Sequence, residues 1–207
     1  RLIMRLATHM DNIRSACDWA VESGNLARGL DLLEYFYVLF VVRNAQNELI
    51  HHLEKLLEHP KANRYTRRQA YMYSLMGMMQ IRHDDLDNAW ATMEKISEIG
   101  QALSSNEIMS WAEGGSDTGY FWIALARGDA TAARLHFNRW IEIAPADLIY
   151  TDSKFSFYDR AYIERTMRAF LAYGQEDYKL AVDTWKLIYD RFALSEYKIH
   201  SSGCARV

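Results

Sequence analysis

The sequence has very few helix breakers and very few cysteines. Its 207 residues include only two prolines, Pro60 and Pro145, and two cysteines, Cys17 and Cys204. Because proline interrupts helices, this scarcity predicts long helices joined by short corners. Two distant cysteines argue against a disulfide, and we interpret them as reduced thiols of a cytoplasmic protein.

The chain also lacks a strong charge of one sign and a long apolar run. Its formal net charge of −3 gives no electrostatic case for binding nucleic acid or an anionic membrane. We expect no signal peptide, and the apolar stretch from Leu30 to Val42 is too short for a membrane span and carries Asp31 and Glu34. Because the chain begins with Arg1, we expect it to be a piece of a longer protein.

Apolar residues instead recur with a helical period. Half of the residues are hydrophobic and 25% are charged, the balance of a folded protein. No segment alternates apolar and polar residues over a length that would predict a β-strand. We therefore predict an all-α fold of about nine helices. They cover about residues 5–23, 25–43, 45–58, 66–82, 86–103, 105–127, 129–143, 156–173 and 177–192. We expect one helical-repeat domain over 1–207, with a three-helix part (1–58), three hairpins (66–192) and a tail (193–207).

The same ladder of side chains follows four corner residues, Asn25, Asp85, Asp129 and Asp177. A small residue stands four positions after each corner, and bulky apolar residues stand eight and eleven positions after it. In chain order these are Gly29, Leu33 and Phe36; Ala89, Met93 and Ile96; Ala133, Phe137 and Trp140; Ala181, Trp185 and Ile188. These offsets lie on one face of a helix. A unit repeated in this way is typical of a stacked helical solenoid.

The ladder resembles the tetratricopeptide repeat, whose second helix begins after a Gly-Asp type of corner. The best match runs from Gly128-Asp129 through Ala133 and Phe137 to Pro145, and Met76-Gly77 resembles the Leu-Gly pair of a first helix. The corners are 60, 44 and 48 residues apart, against about 34 for the usual repeat. This longer spacing resembles the extended repeats of bacterial signalling regulators. The resemblance implies a right-handed solenoid of helical hairpins.

The amino-terminal part carries a second resemblance. The stretch from His9 to Asn25 is similar to a segment of bacterial multidomain ATP-dependent regulators, of the signal-transduction ATPase or LuxR type. In those proteins it begins the helical array after a nucleotide-binding and winged-helix module. Residues 26–58 fit the same pattern, with departures at Leu49 and His52. The resemblance implies a sensor or scaffold region, while the ATPase motif Gly-x-x-x-x-Gly-Lys-Ser/Thr does not occur in the chain.

No motif points to catalysis, a cofactor or a metal. The histidines and glutamates between Glu48 and His59 fit a solvated polar face better than a zinc site. The aspartates within 84–87 fit helix capping better than a calcium loop. The basic run of 64–68 fits a solvated helix start better than a phosphate site, and no Gly-x-Ser-x-Gly nucleophile motif is present. We therefore expect a protein that is not an enzyme and holds neither cofactor nor metal.

Glycines interrupt the sixth predicted helix at Gly114, Gly115 and Gly119. Each glycine inside a helix costs about 1 kcal/mol relative to alanine, so we predict a kink or a short break there. Two interpretations stay open. The helix could bend to present a ligand-binding surface, or glycine could make room for a close helix crossing.

In tetratricopeptide arrays the first helices of the hairpins line a concave groove. The resemblance carries groove positions onto residues that are mostly aromatic or small and polar: Tyr71, Ser74, Met78, Thr118, Trp122, Thr166, Phe170 and Tyr173. The alternative for some of them, above all Phe170 and Met78, is burial between repeats. Such a groove suits an extended protein or peptide segment, which could belong to the same polypeptide. We expect no direct contact with nucleic acid or membrane. The alternatives are a small-molecule sensor with a closed pocket near the sixth helix, and a structural module that forms homo-oligomers.

Overall fold

The computed structural model describes residues 9–62, 66–103, 106–144 and 160–193, with side chains except at 106–114 and 191–193. These ranges contain nine α-helices and no strand, which confirms the all-α prediction. The helices are α1 (Met10–Ser23), α2 (Leu26–Val42), α3 (Gln46–Leu57), α4 (Arg67–Arg82), α5 (Leu86–Ala102), α6 (Asn106–Ala126), α7 (Ala130–Ile143), α8 (Arg160–Gly174) and α9 (Tyr178–Ala193). The predicted tail beyond Ala193, Cys204 and the loop at Pro145 lie outside the described residues.

The chain divides into two compact units, Arg1–Gly119 and Tyr120–Val207. The first unit holds α1–α5 and most of α6, and the second holds the end of α6 with α7–α9. Neighbouring helices along the chain pack together within each unit, including α4 with α5 and α8 with α9. The helix pairs α4–α5 and α8–α9 are therefore antiparallel hairpins of the kind that the repeat predicts.

Four corners share one backbone closure. Each has a residue with positive φ, and the N–H of the next residue donates to the carbonyl five positions back, as Asp129 does to Ala124 O at 2.9 Å. This is a Schellman motif, which satisfies the last carbonyls of a helix. The positive-φ residues are Asn44, Asp84, Gly128 and Glu176. They are spaced by 40, 44 and 48 residues, so the backbone repeat includes a corner before α3 that the side-chain ladder did not reveal.

The predicted ladder forms the buried face of its helices. Ten of its twelve positions are buried, and the other two, Phe36 and Trp185, are half-buried. The small residue at the fourth position lets two helices approach closely. At Gly29, a side-chain carbon added to the glycine would come within 2.6 Å of the Leu56 side chain. The ladder residues therefore share one face of each helix, as their spacing predicted, and that face is largely buried.

Helix α6 runs without a break through its glycines, from Asn106 to Ala126, so the predicted short break is wrong. One of its glycines lies instead at a close contact between helices. The Met93 side chain of α5 occupies the space that side chains at Gly77 of α4 and Gly119 of α6 would fill. We call this arrangement the Met93 slot. For Gly119 it matches the second interpretation, in which glycine makes room for a crossing, whereas Gly115 has only an ordinary contact at 4.0 Å.

Candidate functional site

In the first unit, the predicted groove residues of α4 form a stripe on its less buried side. Tyr71, Ser74 and Met78 are spaced by three and four residues, and all three are half-buried. Leu75 lies on the same side and is also half-buried, although it was not among the predicted groove residues. Thr118 of α6 is half-buried as well. None of the four predicted residues in this unit is therefore fully buried in the core.

In the second unit, the predicted residues contribute to a row of aromatic rings. The ring of Trp122 meets that of Phe170 edge-on with centroids 4.8 Å apart, and Phe170 meets Trp185 in the same way at 5.0 Å. All three side chains are half-buried. We call Trp122, Phe170 and Trp185 the aromatic row. It joins three helices, α6, α8 and α9, through edge-to-face contacts that stabilise aromatic pairs by about 0.5–1.5 kcal/mol each.

The remaining two predicted residues differ in what they offer. The hydroxyl of Thr166 donates to the Tyr162 carbonyl of its own helix at 2.8 Å, so its polar group is already engaged within α8. Tyr173 is 59% exposed, and its ring lies 5.7 Å from that of Tyr178. Tyr173 and Tyr178 thus extend the partly exposed aromatic surface of this unit.

Two surface residues, Trp185 and Tyr178, were not predicted from the sequence. Trp185 is a ladder residue, yet only Ala181 and Ile188 of that ladder segment are buried. The sequence did contain a local pattern that could have identified them. Four residues of α9 repeat at helical spacing, and one of them, Trp185, is itself a ladder residue: Tyr178, Val182, Trp185 and Tyr189. The contact of Trp185 with Phe170, in contrast, has no trace in the local pattern.

The polar cluster on α3 forms hydrogen bonds with α1. The guanidinium of Arg14 donates to both carboxylate oxygens of Glu48, with Nη2 at 2.9 Å from Oε2. This hydrogen bond is the main reason that the pKa of Glu48 lies below its usual range. Because the pair is partly exposed to water, we assign it an orienting role and no large stabilisation.

His52 departs from the predicted solvated face, because its side chain is buried. Burial is the largest influence on it and lowers the pKa of His52, although the carboxylates of Asp18 and Glu48 lie 3.9 and 3.7 Å from its two ring nitrogens and act in the opposite sense. Burial also raises the pKa of the Cys17 thiol on α1 to about 11, which makes it a poor nucleophile. Within the described ranges, no group of three or more His, Cys, Asp or Glu side chains is placed to hold a metal ion.

An open pocket of about 280 Å³ lies between α3, α4 and α5 in the first unit. The ammonium of Lys95 lines it and is bound to the Glu58 carboxylate at 2.7 Å. Burial lowers the pKa of Lys95, but the hydrogen bond to Glu58 and nearby negative charge outweigh it, so the net shift is upward. A charged Lys95 is thus already neutralised by Glu58. No described residue of α6 lines the pocket, whereas the sensor alternative placed its cavity there.

The chain matches no protein-family model and no curated protein. Over the part of the chain that the structure describes, none of the helices combines the length and apolar character that crossing a membrane requires.

Proposed function

We propose that this chain is a non-catalytic helical-repeat domain that binds a protein or peptide segment. The repeated Schellman corners and buried ladders support a right-handed solenoid of the tetratricopeptide type. The observation that carries the binding role is the aromatic row of the second unit. Its three rings are ordered against one another, yet each remains half-buried. Rings held in this way offer apolar area at little cost in side-chain entropy.

The chemistry of the row defines the ligand class. The surface provides ring faces and edges, and none of the three members of the row carries a charge. It therefore suits an extended segment that inserts apolar or aromatic side chains, rather than a charged chain terminus. The half-buried stripe of α4 in the first unit could contribute further contacts to a bound segment. Tyr71 and Met78 offer apolar contact, and Ser74 offers a hydrogen bond.

A direct test uses random peptides displayed on phage. Peptides are selected on the purified chain, and their affinities are measured by fluorescence anisotropy for the wild type, Trp122→Ala and Trp19→Ala. Trp19 is 51% exposed in the first unit and outside the predicted groove, so it is the matched control. We expect Trp122→Ala to raise the dissociation constant about tenfold or more and Trp19→Ala to leave it unchanged. Equal binding by both variants would refute the site.

The same variant tests the groove assignment itself. Trp122 is half-buried, so its replacement should leave the cooperative thermal transition of the domain in place. If Trp122→Ala abolishes folding, Trp122 is a core residue and the groove register carried over from the repeat resemblance is wrong.

We further propose that the domain is the sensor or scaffold region of a larger signalling or transcription regulator. Ligand binding would act by favouring one of two packings of the helical array. The domain content of the full-length protein tests this role. A nucleotide-binding module ahead of residue 1 would support it, and a full-length protein without such a module would contradict it.

A further inference from the structure

The pocket between α3, α4 and α5 combines apolar walls with an acidic edge. Three buried side chains form walls, Leu57, Tyr73 and Ile99, and two exposed carboxylates stand at the edge, Glu58 and Glu98. The volume of about 280 Å³ lies just below the range of about 300–1,000 Å³ for sites that hold drug-sized ligands. The pocket therefore suits a smaller molecule. It shares no residue with the aromatic row or with the stripe of α4.

Gln69 directs a hydrogen-bond donor into this pocket. A capping box begins α4, in which Oε1 of Gln69 accepts a hydrogen bond from the backbone N–H of Thr66 at 3.1 Å. Because this bond holds the amide oxygen, the amide nitrogen lies on the other side. Gln69 is only 6% exposed and lines the pocket. No described residue accepts a hydrogen bond from this nitrogen, yet it is not sealed from solvent. Its NH₂ group therefore opens into the pocket.

Lys95 supplies further donors beside Gln69. Its ammonium is bound to the Glu58 carboxylate at 2.7 Å and lies 5.3 Å from the centre of the Tyr73 ring. An ammonium group has three N–H donors, so donors remain for an acceptor on a ligand. Because Glu58 already balances the charge of Lys95, these donors suit a neutral carbonyl oxygen better than a second carboxylate.

Glu98 supplies the opposite kind of group, an acceptor for a cation. It is exposed at the edge of the pocket and forms no ion pair or hydrogen bond with the residues that the structure describes. It stands one helical turn after Lys95, a separation of about 5–6 Å between Cβ atoms. Apart from His59, the titrating groups in the lining that carry charge at neutral pH are two carboxylates and one ammonium. The pocket therefore keeps an excess of negative charge at Glu98.

We propose that this pocket binds a primary ammonium group with a carbonyl group on the neighbouring carbon, as found at the amino end of a peptide and in a free amino acid. The ammonium pairs with Glu98, and the carbonyl oxygen accepts from Gln69 and Lys95. An apolar side chain of the ligand lies against Leu57 and Ile99. A simple amine leaves the donor of Gln69 unpaired, and an anion meets the excess negative charge. The amino end of a peptide fits better than a free amino acid, because its carbonyl is neutral.

Isothermal titration calorimetry of the full chain tests the proposal with four probes that share one apolar side chain. Leucinamide represents the amino end of a peptide, and leucine represents the free amino acid. Isoamylamine lacks the carbonyl group, and isocaproamide lacks the ammonium group. We expect leucinamide to bind with a dissociation constant between about 10 µM and about 1 mM, and each truncated probe to bind at least about tenfold more weakly. Leucine binding more tightly than leucinamide would identify the free amino acid as the source of the same group.

Two substitutions test the assigned contacts. Glu98→Gln removes the negative charge, and we expect the dissociation constant of leucinamide to rise about tenfold or more. The matched control is Glu94→Gln, because Glu94 is exposed one turn earlier on α5 and does not line the pocket. It should leave the constant unchanged. Gln69→Glu keeps the oxygen of the capping box and removes the amide donor, so the preference for leucinamide over isoamylamine should disappear.

Three results would overturn the proposal. The first is the absence of saturable leucinamide binding up to about 10 mM. The second is isoamylamine binding as tightly as leucinamide, which would reduce the site to an attraction of cations by the acidic edge. The third is an equal effect of Glu98→Gln and Glu94→Gln, which would place leucinamide elsewhere. The proposal does not rest on the peptide-binding function of the aromatic row, on which Trp122→Ala reports separately.

Discussion

The Met93 slot predicts that two glycines of one helix respond to alanine in opposite directions. At Gly119, a new side-chain carbon would lie 2.7 Å from Cγ of Met93 and closer still to its sulfur. These atoms are the middle of the methionine side chain, so turning its end cannot remove the overlap. At Gly115, the nearest atom is Cγ2 of Ile96 at 4.0 Å, an ordinary contact.

The magnitudes follow from two opposing effects. Alanine in place of a helical glycine stabilises by about 1 kcal/mol, and this gain is all that Gly115→Ala should show. Overpacking costs about 1–3 kcal/mol, so Gly119→Ala should lower the free energy of unfolding by up to about 2 kcal/mol after the helix gain of about 1 kcal/mol is subtracted. At about 2–4 °C per kcal/mol, the two melting temperatures should move apart by several degrees. Gly77→Ala should cost less than Gly119→Ala, because it meets mainly the terminal methyl of Met93.

Urea unfolding followed by far-UV circular dichroism measures these differences, and a double-mutant cycle isolates their cause. In a Met93→Ala background the slot is empty, so Gly119→Ala should stabilise as Gly115→Ala does. The reasoning fails if Gly119→Ala stabilises the wild-type chain. It also fails if the effect of Gly119→Ala is the same with and without Met93. Either result would favour the other interpretation of the glycines, in which the helix bends to present a ligand-binding surface.

Three further predictions concern the core, the corners and a buried histidine. Ala133→Trp should remove the cooperative unfolding transition seen by circular dichroism, because Ala133 is fully buried at a helix crossing. The free energy of unfolding, measured in urea, should rise for Glu176→Gly and fall for Gly128→Ala, each by about 1 kcal/mol, because both residues have positive φ; equal stabilities of the two variants would contradict this. Since burial lowers the pKa of His52, the unfolded chain binds that proton first, and stability should fall as the pH drops below the ordinary histidine value of 6.5. His52→Gln should flatten this dependence in urea titrations, whereas the exposed control His51→Gln should keep it.

The ladder residues illustrate what could be predicted for the fold. Ala133, Phe137 and Trp140 are spaced so that any helix containing them turns all three to one side, and all three are buried. The helices and the repeated unit could therefore be predicted from the chain. The corner at Asn44 could not, because Ala45 follows it where the other corners have Asp. Its left-handed backbone is visible only in the structure.

The candidate site was predictable only in part, for the same physical reason. The repeat resemblance carried groove positions onto Trp122 and Phe170, but it does not state which helix faces meet. The ring contact of Phe170 with Trp185 joins helices whose pairing depends on the packing of the whole unit. The repeat resemblance therefore pointed to two rings of the aromatic row and missed the third.

The sequence by itself determined the all-α class, the helix positions and the small and large residues of the repeated unit. These follow from local rules, because residues four, eight and eleven positions apart share a helix face whatever surrounds them. Only the tertiary structure decided the role of Gly119, the burial of His52 and the members of the aromatic row. Each of these depends on side chains from different helices meeting in space, as Met93 meets Gly77 and Gly119, and packing at close range is not encoded in any single stretch of the chain.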